Sequence, residues 1–183
     1  MKKTDLSRYD NSWYSPGASK LVIVLWMITS VLLVRNPLMI SMKFKKWILR
    51  CFGARIGQGV WIKQGVQIKY PWRLTIGNNC WIGENTWIEN LADVTLGNNC
   101  VLSQGSMLLC GNHNYKKETF DLMTEEIKLE DGVWISARSV VCGGVTCRSH
   151  SVLSVNSVAT EELAPYSVYS GTPAVKIRER VII

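Results

Sequence analysis

The chain has 183 residues, of which 47% are apolar and 19% charged, with a formal charge of +7. That length suits one domain with a short appendage, and that apolar share excludes a disordered chain. The positive excess, much of it in Lys43, Lys45, Lys46, Arg50 and Arg55 and again in Lys176, Arg178 and Arg180, suits a nucleotide, an acidic glycan or an anionic membrane, or is an ordinary basic surface. Residues 1–20 are polar, with Ser15-Pro16-Gly17 as a turn signal, and read as an extended arm. Leu21–Val34 is apolar all round and bracketed by Lys20 and Arg35. Its 14 residues fall short of the roughly 20 that a spanning helix needs. It also begins too late, and lacks the small-residue cleavage site, for a standard signal peptide. A buried helix is the preferred reading, and a dip into the membrane is the alternative. Asn36-Pro37 ends it. Met39–Phe52 then carries an apolar stripe (Ile40, Phe44, Trp47, Ile48, Cys51) and a basic face (Lys43, Lys45, Lys46, Arg50). That face reads as a solvated helix surface or as a peripheral membrane contact. Gly53 suits the C-cap.

From Ile56 the period changes to six. Aliphatic or small residues fall at Ile56, Ile62, Ile68, then Ile76, Ile82, Ile88, then Leu96, Leu102, Leu108. After an interruption they resume at Leu129, Ile135, Val141, then Cys147, Leu153, Ala159. Gly and Asn fill the positions between, as in Gly77-Asn78-Asn79 and Gly97-Asn98-Asn99, and tolerate the positive φ of sharp corners. No α-helix gives such a pattern; a parallel β-helix does. Three six-residue faces make one triangular coil, and each inward residue stacks on its equivalent about 4.8 Å away in the next. About five coils are expected, the first three running 20 residues rather than 18 through a longer third face.

The interruption, residues 110–128, is polar and loses the aliphatic frame; a loop this long on a compact solenoid is usually functional. The expected organisation is residues 1–53 as arm and helices, 54–164 as β-helix with the 110–128 excursion, and 165–183 as a cap on the open end. The six cysteines show no CxxC and no Cys/His cluster, so no metal and no disulfide is expected. Cys80 and Cys100 share one slot of the repeat and read as small buried residues in a reducing cytoplasm. Trp61 and Trp81 also share a slot and suit packing at a subunit interface, with a sugar-stacking platform as the alternative.

The repeat, CGNHNY at Cys110–Tyr115, the later FDL and the run Ile127–Ile135 together resemble the hexapeptide-repeat acyltransferases, which fold as left-handed parallel β-helices. Within them the likeness is to the branch of galactoside, maltose and colanic acid biosynthesis O-acetyltransferases. The apolar N-terminal segment, FGARIG at Phe52–Gly57 and SGTPAVKIR at Ser170–Arg178 are most similar to the colanic acid type. The resemblance covers Gly53 to Arg180. It implies an acetyl-CoA-dependent O-acetyltransferase acting on a sugar unit of an exopolysaccharide or capsule. It also implies a homotrimer with active sites in clefts between neighbouring β-helices. The expected location is the cytoplasm, with the inner face of the membrane as the alternative within it. No nucleic acid is expected as a partner.

Moving acetyl from a thioester to a hydroxyl requires a base for the hydroxyl proton and alignment of the two substrates. Histidine titrates in the right range. His113 matches the catalytic histidine of the resembled motif and sits where the third coil leaves for the loop; His150, the only other histidine, occupies a corner. Counting back 20 residues from His113 gives Asp93, and 20 more gives Arg73, so Asp93 is a candidate to orient the imidazole or bind acceptor. By likeness to related enzymes Asn85, Glu89 and Asn90 are candidates to hold the acceptor sugar. Acetyl-CoA is expected along the later coils, beside Trp134, Ala137, Val155 and Thr160, with Arg178 and Lys176 toward its phosphates. The segment Ser154–Ser157, Glu161 and Cys142–Val145 depart from the family pattern. An N-acetyltransferase acting on an amino sugar nucleotide and a non-catalytic scaffold or sugar-binding module are the competing readings. A carbonic-anhydrase-type metal site on this fold needs three histidines, and the chain has two.

Overall fold

The computed structural model describes residues 3–183; the first two residues of the expected arm lie outside that range. The six-residue period closes into a parallel β-helix of about six turns. The first coil is β1 (Arg55–Ile56), β2 (Trp61–Ile62) and β3 (Gln67–Ile68). The second is β4 (Leu74–Ile76), β5 (Trp81–Ile82) and β6 (Trp87–Glu89), and the third is β7 (Val94–Leu96), β8 (Val101–Leu102) and β9 (Met107–Leu109). A hairpin, β10 (Gly111–His113) with β11 (Leu122–Thr124), interrupts the winding. The fourth coil is β12 (Ile127–Leu129), β13 (Trp134–Ile135) and β14 (Val140–Cys142), and the fifth is β15 (Thr146–Cys147), β16 (Val152–Leu153) and β17 (Val158–Ala159). A partial sixth turn touches the first face where Leu163 bridges Cys147, and the second face through β18 (Ser167–Gly171). The antiparallel strand β19 (Ala174–Glu179) then closes that edge.

The fifteen residues expected inward are all buried, stacked as Ile56–Ile76–Leu96–Leu129–Cys147 on the first face, Ile62–Ile82–Leu102–Ile135–Leu153 on the second, and Ile68–Ile88–Leu108–Val141–Ala159 on the third. Each such side chain contributes about 1.5–3 kcal/mol when taken from water, less for the small ones. The corners are ladders of left-handed backbone. One runs Gly59, Asn79, Asn99, Gly132, His150, Tyr166, with φ from 48° to 67–70° at its Gly and non-Gly members. Its backbone N–H groups from Asn79 onward donate to carbonyls of the preceding coil at 2.8–3.0 Å. At Gly132 the conformation and the neighbour act together: a Cβ there would lie 2.2 Å from Nδ1 of His150. Cys80 and Cys100 are fully buried, their thiols turned toward the carbonyls of Gly97 and Glu130 at 3.0 Å.

Ahead of the solenoid, α1 (Lys20–Thr29) runs into a π-helical turn over Ser30–Val34, and α2 (Met42–Cys51) follows. Ser19 and Ser41 accept from the backbone N–H groups three residues on, as N-caps do, and Gly53, at φ 91°, ends α2. The first coil has no coil before it, so carbonyls on its free side need other donors. Lys45 supplies one to Lys63 O at 3.1 Å, Lys46 one to Val60 O at 3.0 Å, and Arg50 reaches Ile56 O at 2.6 Å. On the other helix, Trp26 Nε1 donates to Ile68 O at 3.1 Å. Two expectations are therefore corrected. Of the basic face read as solvated or membrane-facing, Lys45 and Lys46 turn to the solenoid beside Ile48 and Leu49, while Phe44, Trp47 and Cys51 of the apolar stripe face out. In Leu21–Val34 only Trp26, Ser30 and Val34 are buried, so the helix is half-covered rather than enclosed. Amphipathic patterning misleads here because the surface these helices meet is a row of carbonyls, which rewards cations and an indole N–H. Burial pushes the Lys45 ammonium below its usual pKa.

Candidate active site

The third coil stops at Cys110, whose N–H donates to Glu89 O at 3.2 Å. There the chain leaves the solenoid as the β10–β11 hairpin, with His113 opposite Leu122. Gly111 lets the exit pass close to the coil below: a Cβ on it would lie 2.6 Å from Cδ1 of Leu91, whose side chain would have to move. The hairpin tip is tied internally. Asp121 accepts from Lys117 Nζ at 2.7 Å and from Thr119 Oγ1, contacts that hold its carboxyl below the usual range, and Asn114 N–H donates to Asp121 O at 2.8 Å.

This tip controls His113. Nδ1 lies 3.0 Å from Phe120 O. A carbonyl only accepts, so Nδ1 carries the proton and Nε2 is left with its lone pair. The Phe120 ring stacks on the imidazole at 4.5 Å, and Tyr9 packs against it at 5.8 Å. Phe120 holds a φ of 52°, which a bulky residue rarely adopts, and that conformation accompanies both contacts.

The N-terminal arm reaches this hairpin. Asp5 N–H donates to Glu118 O at 2.9 Å, and Arg8 pairs with the Glu118 carboxylate at 2.9 Å. Further along, Tyr14 Oη donates to Leu91 O at 2.8 Å, and burial pushes its pKa up to about 12. Arg73 gathers the carbonyls of Ser15, Pro16 and Leu91, binding the arm to the second coil.

The residues expected on the acceptor side separate. Glu89 lies beneath the hairpin stem, paired with Leu109 and 3.6 Å from Lys69 Nζ. Asn90 is fully buried; its Oδ1 accepts from Tyr70 N–H at 2.9 Å and its Nδ2 donates to Tyr70 O. Fully buried and bonded at both ends of its amide to the Tyr70 backbone, Asn90 presents no surface to a sugar, against its expected role. Asn85 is exposed at φ 56° on the corner between the second and third faces, a different edge from the one His113 leaves. Asp93 is exposed, and its carbonyl accepts from Ile127 N–H at 3.0 Å. The 20-residue count does not carry into the excursion: the strand after Asp93 continues from Val94 to Ile127, 33 residues on, and Phe120 rather than Asp93 holds Nδ1.

On the coenzyme side Ala137 and Val155 fall in one column, where Asn156 N–H donates to Ala137 O at 3.1 Å. Trp134 stands on the second face, its Nε1 donating to Ser103 Oγ at 2.9 Å. Thr160 is exposed at the end of the third face. On β19, Lys176 is paired with Glu179 at 2.6 Å, while Arg178 is exposed. A groove of about 630 Å³ runs along the second face, lined among others by Trp61, Trp81, Trp134, Glu84, Gln104 and Arg180. His113 is not among its lining residues.

No family model matches the chain. It is 31% identical over 177 residues, 97% of each chain, to the putative colanic acid biosynthesis acetyltransferase WcaF of Escherichia coli K12. The chain belongs to the hexapeptide-repeat acetyltransferases. Among solved structures, the fold is similar to the hexapeptide-repeat acetyltransferase VCA0836 of Vibrio cholerae in complex with acetyl-CoA, with a TM-score of 0.81, 20% identity and coverage of 91% and 92% of the two chains. A galactoside acetyltransferase in complex with coenzyme A superposes with a TM-score of 0.79 and 21% identity, covering 90% of this chain and 84% of that one.

Two residues that touch His113 in this hexapeptide-repeat acetyltransferase, Tyr9 and Phe120, escaped sequence reasoning, as did Tyr14, which ties the arm to the second coil. Arg73, reached by the 20-residue count, binds the arm and Leu91 rather than His113. The arm residues follow no repeat, and nothing in an isolated Phe announces a positive φ.

Proposed function

We propose that the chain transfers acetyl from acetyl-CoA to a sugar hydroxyl in polysaccharide biosynthesis, with His113 as the general base. The observation that carries this reading is the hydrogen bond between Nδ1 and Phe120 O, which leaves Nε2 as a free acceptor. Nε2 takes the hydroxyl proton as the oxygen attacks the thioester carbonyl, and the imidazolium returns it to the departing sulfur. Proton and charge balance without a covalent acyl-enzyme. Acetyl-CoA supplies the activated carbonyl. The Ala137–Val155 column is small and apolar, which suits a pantetheine arm lying along backbone, and Arg178 suits a phosphate better than Lys176, which is already paired. The naming of the Escherichia coli relative for colanic acid supports a polysaccharide unit as acceptor.

Within one chain His113, Asn85 and Trp134 occupy different edges and faces. That separation supports a homotrimer in which one protomer's hairpin meets its neighbour's second-face groove, where Glu84 and Gln104 offer polar contacts. The exposed Trp61–Trp81 ladder suits such a contact.

The test is His113→Ala assayed by thiol release across nucleotide-linked and lipid-linked sugars. Turnover is expected to fall about 10²–10⁴-fold with coenzyme A affinity retained. Full turnover in the variant would reject the base. Activity confined to amino sugars would make the enzyme an N-acetyltransferase instead.

A further inference from the structure

The N-terminal helices leave uncovered what they do not turn to the solenoid. Leu21, Val24, Leu25, Ile28, Val31 and Leu32 follow helical spacing along one side of α1 and its π-helical extension, and are 48–69% exposed. The connection to α2 adds Leu38 and Ile40, more exposed still. On α2 the stacked pair Phe44–Trp47, rings 5.8 Å apart, continues the same outward apolar character. Exposed apolar side chains in such number on neighbouring stretches of the chain mark a contact.

Charge says which contact. From Asn11 to Gly83 there is no Asp or Glu and there are ten Lys or Arg. Lys45, Lys46, Arg50 and Arg73 are spent on backbone carbonyls. Lys20 and Arg35, at the two ends of the apolar stretch, and Lys43 on α2 are exposed and have no ion-pair partner among the described residues. A two-fold contact between copies would bring these cations together with no carboxylate nearby to offset them. A surface of phosphate headgroups offers both the apolar layer and the counter-charge. No helix among the described residues is long and apolar enough to cross a membrane, so the orientation is along the surface.

We propose that α1, its extension and the outward side of α2 lie in the interface of an anionic phospholipid bilayer, the aliphatic stripe among the acyl chains and Lys20, Arg35 and Lys43 at the headgroups. This reading is independent of the acetyl transfer proposed above.

The experiment is flotation of the full chain with vesicles of phosphatidylcholine alone and of phosphatidylcholine mixed with phosphatidylglycerol. The protein is expected to float with the anionic vesicles, and weakly or not at all with the neutral ones. Leu25→Glu combined with Ile28→Glu is expected to lower binding by at least about tenfold. Arg35→Gln, which leaves the apolar stripe intact, is expected to lower it about fivefold. Melting temperature and mass by light scattering should stay unchanged in both variants. Failure of the wild type to float with anionic vesicles overturns the proposal, as does equal flotation of the double variant or of Arg35→Gln. A fall in oligomeric mass in the double variant also overturns it, by assigning the face to a second copy.

Discussion

A backbone carbonyl, that of Phe120, selects which nitrogen of His113 is available. The ring of Phe120 then fixes the imidazole plane, at the cost of a left-handed backbone. Phe120→Gly suits that backbone and relieves about 1 kcal/mol of strain, yet removes the stacking ring. We expect turnover to fall about tenfold through looser positioning while melting temperature moves little, to be checked by steady-state kinetics beside thermal melts. Asn90 presents the opposite case. Asn90→Ala leaves the buried N–H and C=O of Tyr70 without partners, an expected loss of about 2–4 kcal/mol in denaturant unfolding, with KM for the acceptor unaltered. The sequence register carried Asn90 to the right coil but to an outward position, where the structure buries it. At the extended third corner the six-residue alternation lapses, so inward and outward positions cannot be told apart by counting.

Among the elements, the arm and α2 were the least legible. The arm is polar and aperiodic, and its order comes from Arg73, Leu91 and Glu118, which lie far away in sequence. The arm carries its own pH signature. Tyr14 has its folded pKa raised to about 12 from an ordinary 10.0, so its contribution is complete below pH 10 and is lost as pH rises toward 12. The melting temperature of the wild type should therefore drop more across that window than that of Tyr14→Phe. An equal drop in both would show that Tyr14 stays hydrogen-bonded only nominally. For α2, the apolar stripe and the basic face were both recognised, but Lys45 and Lys46 of the basic face turn to the solenoid and Phe44 and Trp47 of the stripe face out. Helical periodicity reports two faces; it does not report whether the neighbouring surface is hydrocarbon or carbonyl oxygen.

The whole molecule was the most legible level. Fifteen inward positions follow from a period of six, because each residue must stack on its own equivalent and a slip would expose an entire column. Ile82, in the middle of the second-face column, tests this: Ile82→Ala should cost about 2–5 kcal/mol in denaturant unfolding, since neighbours locked above and below cannot collapse into the space. Counting lost the coil register itself across residues 110–128, where the chain steps out and rejoins the same face 33 residues later.

A stack of identical coils has no intrinsic length, since every coil offers the next one the same hydrogen bonds. At the start of this one, Lys45, Lys46, Arg50 and Trp26 occupy the acceptors that a further coil, or the end of another molecule, would use. The N-terminal helices are therefore a stop signal written in side-chain donors: they turn a fold capable of endless fibre growth into a particle of fixed size.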